Sequence, residues 1–218
     1  MFKSEREYRN MTMEIREPVE GEGQSKIVVG YASTFDEPYK LYSGDDWELW
    51  EVVDRDAFSE TDMSDVIMQY DHKGRVFART RNNTLRVEPD AKGLFIEADL
   101  GGTEIGRELY EEISGGYTDR MSFGFTVSGE SEDREQNENG VWIYTRHIKS
   151  VGKLYDVSAV SIPANDGTTI AADAVTRSIG DLKDGVIERI QAERLEEEKR
   201  KLEQRRAEVK ARALGGNN

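Results

Sequence analysis

The sequence predicts an α+β protein, mainly an antiparallel β-barrel with one or two packed helices and a long C-terminal helix. Three observations lead there. Apolar and β-branched residues alternate with polar ones in many short runs, the period of a strand. Those runs follow one another instead of alternating with helices, which disfavours a doubly wound parallel sheet. Beyond Arg177 the composition becomes charged and helix-forming almost throughout. The chain of 218 residues therefore divides into an expected body over 1–176 and a helical tail over 177–218.

Tyr8 to Glu17 and Ser25 to Thr34 read as two strands, with Ile27-Val28-Val29 and Tyr31 giving β-favouring content and Gly21-Glu22-Gly23 a turn between them. Phe35 to Trp50 is aromatic-rich and irregular, and a short helix is expected around Asp56 to Thr61. Strands follow at Asp65–His72, Arg75–Thr80, Thr84–Glu88 and Gly93–Leu100, the last entered through a turn containing Pro89, Asp90 and Gly93. From Thr103 to Ile113, Ile105, Leu109 and Ile113 repeat at helical spacing, and Gly115-Gly116 ends the helix. Met121–Ser128 and Val141–Ile148 are strands separated by a polar segment, Gly129 to Gly140, expected to be an exposed loop. A last strand, Lys153–Ile162, stops at Pro163, and Thr168 to Ala172 suggests a short further one. Ser178 to Ala213 is the tail helix, with Glu196/Arg200, Glu197/Lys201 and Glu208/Arg212 at supportive spacing. Leu195, Leu202 and Val209 recur every seven residues. The second heptad core position is charged, so the helix reads as solvated and not as a stable coiled coil.

Charge excludes several functions. The formal net charge is -14, and the tail, with ten basic and nine acidic residues between Asp181 and Arg212, is nearly balanced, so the acidity belongs to the body. Phosphate backbones bind through Lys and Arg, so nucleic acid is not an expected partner. No apolar run approaches the ~20 residues of a spanning helix, and the N-terminus lacks the apolar core of a signal peptide, so neither membrane nor export is expected. With 0 cysteines, disulfides, thiolate zinc sites and a cysteine nucleophile are excluded. The 2 histidines are far apart in sequence with no His-x-x-x-His pair, a weak metal-ligand set. No glycine-rich phosphate loop is present, and no cofactor is expected.

Three residues stand out chemically. His72 ends the run Val66-Ile67-Met68-Gln69-Tyr70-Asp71-His72, where period two puts it on the face of Val66, Met68 and Tyr70. In Met121-Ser122-Phe123-Gly124-Phe125-Thr126-Val127-Ser128 the odd positions are large and apolar and the even ones small. Ser122 therefore faces away from the core, with Gly124 leaving room on that face for a substrate backbone. Asp156 interrupts the apolar strand Lys153 to Val160, where a carboxylate must be solvated or partnered. Each has a structural alternative: a core-edge histidine, a plain amphipathic strand, an edge-strand ion pair. His147, on a polar strand end, reads as a surface residue.

Taken in order, Gly30-Tyr31-Ala32-Ser33-Thr34-Phe35, the strand ending in His72, Gly93-Leu94, the helix closing on Gly115-Gly116, Met121-Ser122-Phe123-Gly124-Phe125, and Leu154-Tyr155-Asp156-Val157-Ser158-Ala159-Val160-Ser161-Ile162-Pro163-Ala164-Asn165 form a specific constellation. It resembles the tailed-phage prohead (capsid maturation) serine protease family, whose fold is akin to the herpesvirus assemblin proteases. The resemblance spans roughly Gly30 to Ala172. It implies Ser122 as nucleophile, His72 as base and Asp156 as the orienting carboxylate, at a position where relatives often carry Glu. It also implies peptide hydrolysis through an acyl-enzyme, directed at scaffold or a scaffold-like segment of the capsid protein and at the chain itself, inside a prohead in the host cytoplasm. It leaves a homodimer open. A second reading keeps the barrel as a non-enzymatic capsid scaffold or assembly protein. Arg120, near Ser122 in sequence, is a weak candidate for the oxyanion.

Overall fold

The architecture is taken from a computed structural model, which describes residues 6–15, 26–160 and 173–215, with side chains outside 10–15, 173–178 and 210–215. The Gly21 turn, the end of the last strand at Pro163 and the strand expected at Thr168 to Ala172 lie outside the described residues.

The protein is α+β. Among the described residues ten strands follow in order: β1 (Glu7–Ile15), β2 (Ile27–Thr34), β3 (Tyr39–Ser43), β4 (Trp47–Val53), β5 (Ile67–Tyr70), β6 (Lys73–Arg79), β7 (Leu85–Pro89), β8 (Gly93–Asp99), β9 (Arg120–Gln136) and β10 (Trp142–Val160). Helix α1 (Glu104–Ser114) lies between β8 and β9, and helix α2 (Asp173–Gly215) follows β10. The chain forms two compact units, Met1–Ile179 and Gly180–Asn218.

Strand pairing runs β3-β4-β10-β9-β1-β2-β8-β7, with β5 joined to β10 and β6 to β5. Among the described residues no pairing links β3 to β7, so the sheet is an open path and not the closed barrel expected from the sequence. Period-two alternation specifies strands and their buried faces but carries no information on closure, which depends on stagger and tilt. Two pairings are parallel, β10 with β4 and β10 with β5; the rest are antiparallel. β1 bridges two regions, pairing with β9 through Glu7 to Thr12 and with β2 through Met13 to Ile15.

One apolar cluster fills the body. It draws Met121, Phe123 and Phe125 from β9, Leu154, Val157 and Ala159 from β10, Val28 and Ala32 from β2, Leu94, Ile96 and Ala98 from β8, and Leu109 and Ile113 from α1. Helix α1 forms where the apolar spacing predicts it, capped by the Thr103 hydroxyl, which accepts from the Gly106 N–H at 3.1 Å. Gly116, at φ 72°, takes the left-handed turn that ends it.

The largest departure from expectation is the hairpin of β9 and β10. The polar segment Gly129 to Gln136 continues β9 as strand: Glu130 to Gln136 pair residue for residue with Trp142 to Ile148, Gly129 stands opposite Ser150 across a register shift, and only Asn137 to Val141 turns. The Asn137 side-chain carbonyl accepts from the Asn139 and Val141 N–H groups, and Gly140 supplies φ 80°. On its other edge β10 is supported by β4, so partnering on both sides fixes a register that polar composition alone does not reveal. Residues 55–60 form turns in place of the short helix expected over 56–61, and the stretch expected to be irregular contains β3 and the start of β4.

Candidate active site

Neighbouring residues across a sheet share a face, so the register assembles the site. On β9, Ser122 stands opposite Ser158 of β10 and Asn10 of β1, while Gly124 stands opposite Asp156 and Tyr8. On the far side of β10, Gln69 is level with Ser158 and Ile67 with Asp156. Two cross-strand rows result: Gln69, Ser158, Ser122, Asn10, and next to it Ile67, Asp156, Gly124, Tyr8. Met121, Phe123, Val157 and Ala159 alternate to the opposite face and enter the core.

His72 arrives differently from the sequence expectation. Strand β5 stops at Tyr70 and β6 begins at Lys73, so His72 is the second residue of a two-residue turn and not a strand residue. Both turn residues have positive φ, 47° at Asp71 and 58° at His72. That is the left-handed geometry that two-residue hairpins demand and that non-glycine residues disfavour. Strain at a non-glycine turn is the kind of cost that folds carry at functional sites. The turn takes His72 out of the strand alternation that would have set it beside Met68.

From there the ring Nδ1 meets the Asp156 carboxylate at Oδ1. The Tyr8 ring packs edge-on against the imidazole, centroids 4.3 Å apart. His72 and Asp156 are thus brought together from positions 84 residues apart in the sequence. Ser122 lies diagonally from Asp156 on the adjacent strand. His72 Nε2, Ser122 Oγ and Asp156 Oδ2 are all buried without a hydrogen-bond partner. Buried polar atoms are nearly always satisfied, so three on one sheet face mark a place where satisfaction has yielded to another demand. Asp156 Oδ2 faces the Arg6 guanidinium at 3.6 Å.

Two sequence expectations are corrected. Ser122 does face away from the apolar cluster, but that face is not open to solvent there: the residue is fully buried. Gly124 does leave space, yet that space holds the carboxylate: a Cβ there would come within 2.5 Å of Asp156 Oδ2 and 2.9 Å of the Tyr8 ring. Arg120 pairs with Asp119 at 3.5 Å. His147 sits on the β9–β10 arm between Asp54 and Asp133. Among the described residues no group of three or more His, Cys, Asp or Glu side chains is placed to hold a metal ion, and no helix is long and apolar enough to cross a membrane.

Sequence reasoning missed Ser158, whose hydroxyl donates to Asp156 Oδ1 at 2.8 Å, and Tyr8. Ser158 carried a signal, since it lies two residues from Asp156 and so shares its face. Tyr8 carried none, because only the pairing of β1 with β9 brings it near.

A hydroxyl, an imidazole and a buried carboxylate on one face of a sheet are the functional groups of a serine hydrolase. Over residues 11–184 the chain matches the family described as caudovirus prohead serine protease. It belongs to that family and is a serine protease of the phage prohead, an enzyme and not a non-enzymatic scaffold. Comparison with curated proteins and comparison with solved structures returned no match.

Proposed function

We propose that Ser122, His72 and Asp156 form the catalytic triad of an endopeptidase that cleaves scaffold or scaffold-like segments of capsid protein, and itself, during prohead maturation. The observation that supports this most is the pairing of His72 Nδ1 with Asp156 Oδ1 while Nε2 is left buried and unengaged. A carboxylate that accepts from Nδ1 fixes the tautomer with its lone pair on Nε2, the form a general base needs. The Ser122 hydroxyl, equally unengaged, is the proton donor available on that face.

In this reading the Ser122 oxygen attacks the scissile carbonyl while Nε2 takes its proton. Nε2 then returns that proton to the departing amine, leaving an acyl-serine that water hydrolyses by the same relay. Asp156 stabilises the imidazolium formed midway. The burial of the hydroxyl means that the face must open before a peptide reaches it. The reaction belongs to the interior of the prohead in the host cytoplasm, with capsid proteins as the substrates that family membership implies. The body over 1–176 performs the chemistry, and the charged tail over 177–218 recruits the enzyme into the shell.

A fluorophosphonate probe tests the assignment. Ser122 is expected to carry the adduct by mass spectrometry, and Ser122→Ala is expected to lose both labelling and cleavage of scaffold. Scaffold cleavage that persists in Ser122→Ala would overturn it.

A further inference from the structure

Ser158 is fully buried and stands directly opposite Ser122 in the register of β9 and β10. Its hydroxyl donates to Asp156 Oδ1 at 2.8 Å, and that same oxygen meets His72 Nδ1. Nothing in the hydrolytic relay requires a second serine, and period two alone would leave Ser158 as an ordinary small residue on a polar face. Its hydrogen bond gives it a different standing.

A carboxylate turns readily about its Cβ–Cγ bond, because that torsion is broad and two-fold. Without Ser158, Asp156 would keep only His72 on Oδ1 and the longer 3.6 Å contact of Oδ2 with the half-exposed Arg6 guanidinium, so it could exchange its oxygens or tilt, since Oδ2 accepts no hydrogen bond and Gly124 opposite offers no side chain to wedge it. A second donor on Oδ1 fixes the plane of the carboxylate and places that oxygen on the Nδ1 side of the ring. A bond to a charged acceptor in a water-poor site is also among the stronger neutral-donor contacts.

We propose that Ser158 is a positioning residue: it orients Asp156 and, through it, holds the His72 ring for proton transfer. The same bond separates the roles of two hydroxyls lying side by side. The Ser158 proton is committed to Asp156, so Ser158 does not compete with Ser122 for the imidazole. This inference rests on the triad assigned above and adds a fourth side chain that touches neither substrate nor reacting atoms.

A double-mutant cycle on the full chain tests it, reading the limiting rate of fluorophosphonate labelling at Ser122 and the probe's apparent affinity separately. Asp156→Asn should lower the limiting rate roughly 10²-fold or more. Ser158→Ala should lower it about tenfold, with affinity unchanged. In the Asp156→Asn background, Ser158→Ala should add almost nothing, because its effect passes through the carboxylate. Ser158→Thr, which keeps the donor, should restore most of the rate. A loss of equal size in both backgrounds, a Ser158→Ala protein as fast as the wild type, a Ser158→Ala protein that no longer folds, or a folded Ser158→Thr protein as slow as the Ala variant would each overturn the proposal. A wild-type chain that does not label at Ser122, or an Asp156→Asn chain of undiminished rate, would instead overturn the triad on which it rests.

Discussion

At the scale of single residues, the site combines burial with unsatisfied polarity. Ser122 Oγ has no partner and no exposure, and an orphaned buried hydroxyl costs stability that its removal returns. Ser122→Ala is therefore expected to melt at the same temperature as the wild type or higher, while losing turnover; calorimetry beside a cleavage assay checks both. A large fall in melting temperature would make the serine structural. Gly124 is set by its neighbour across the strand. Because a Cβ there would lie 2.5 Å from Asp156 Oδ2, Gly124→Ala must push the carboxylate from His72. A displacement of about 1 Å can cost on the order of 10²-fold in rate. Gly124→Ala should thus keep its fold by circular dichroism and lose about that much activity.

At the scale of elements, β1 is fastened by a buried ionic cluster. Arg9 donates to Glu51 of β4 at 2.7 Å and to Glu7 at 2.8 Å. Arg146 of β10 reaches Glu51 at 2.9 Å and Glu7 at 2.6 Å, and the Tyr39 hydroxyl donates to Glu51. Burial pushes the Glu51 carboxyl up, but Arg9 and Arg146 outweigh it and hold it below the usual carboxylate range. Burial and the nearby Glu51 charge push the Tyr39 hydroxyl well up. A carboxyl depressed on folding contributes its full stability above its unfolded value, ~4.3 for glutamate, and loses it as pH falls through the lower folded value. Acid unfolding should accordingly steepen below that range. Glu51→Gln should remove much of this dependence and, by leaving two buried guanidinium groups short of a partner, cost about 3–5 kcal/mol at neutral pH. Denaturant titrations across pH measure both. The cluster matters to the site because β1 carries Tyr8 against the imidazole, and Arg9, the residue after Tyr8, faces the other way.

At the scale of the whole molecule, the β9–β10 hairpin is the spine. Its near half carries Ser122, Asp156 and Ser158, and its far half extends as a polar arm paired with β4. The C-terminal unit is of another kind: residues 191–209 are exposed on every face, so no buried apolar area depends on them. A chain ending at Ile190 should therefore retain the melting temperature and peptidase activity of the full protein. If the tail serves recruitment, that shortened chain should also be poorly incorporated into proheads, and equal incorporation would rule the role out.

The sequence by itself determined the α+β class, the position of α1 and most strand cores, because alternation and helical spacing are local properties; it singled out Ser122, His72 and Asp156 as candidates through the order of motifs that carries the family resemblance. Only the tertiary structure decided that the sheet is an open path, that the acidic segment after Gly129 is strand, that His72 leaves its strand on a left-handed turn, and that the space at Gly124 belongs to Asp156. Each of these depends on which strand lies beside which and in what register, and on where chains meet edge to edge. Those relations join residues tens of positions apart, and no local pattern in the chain encodes them.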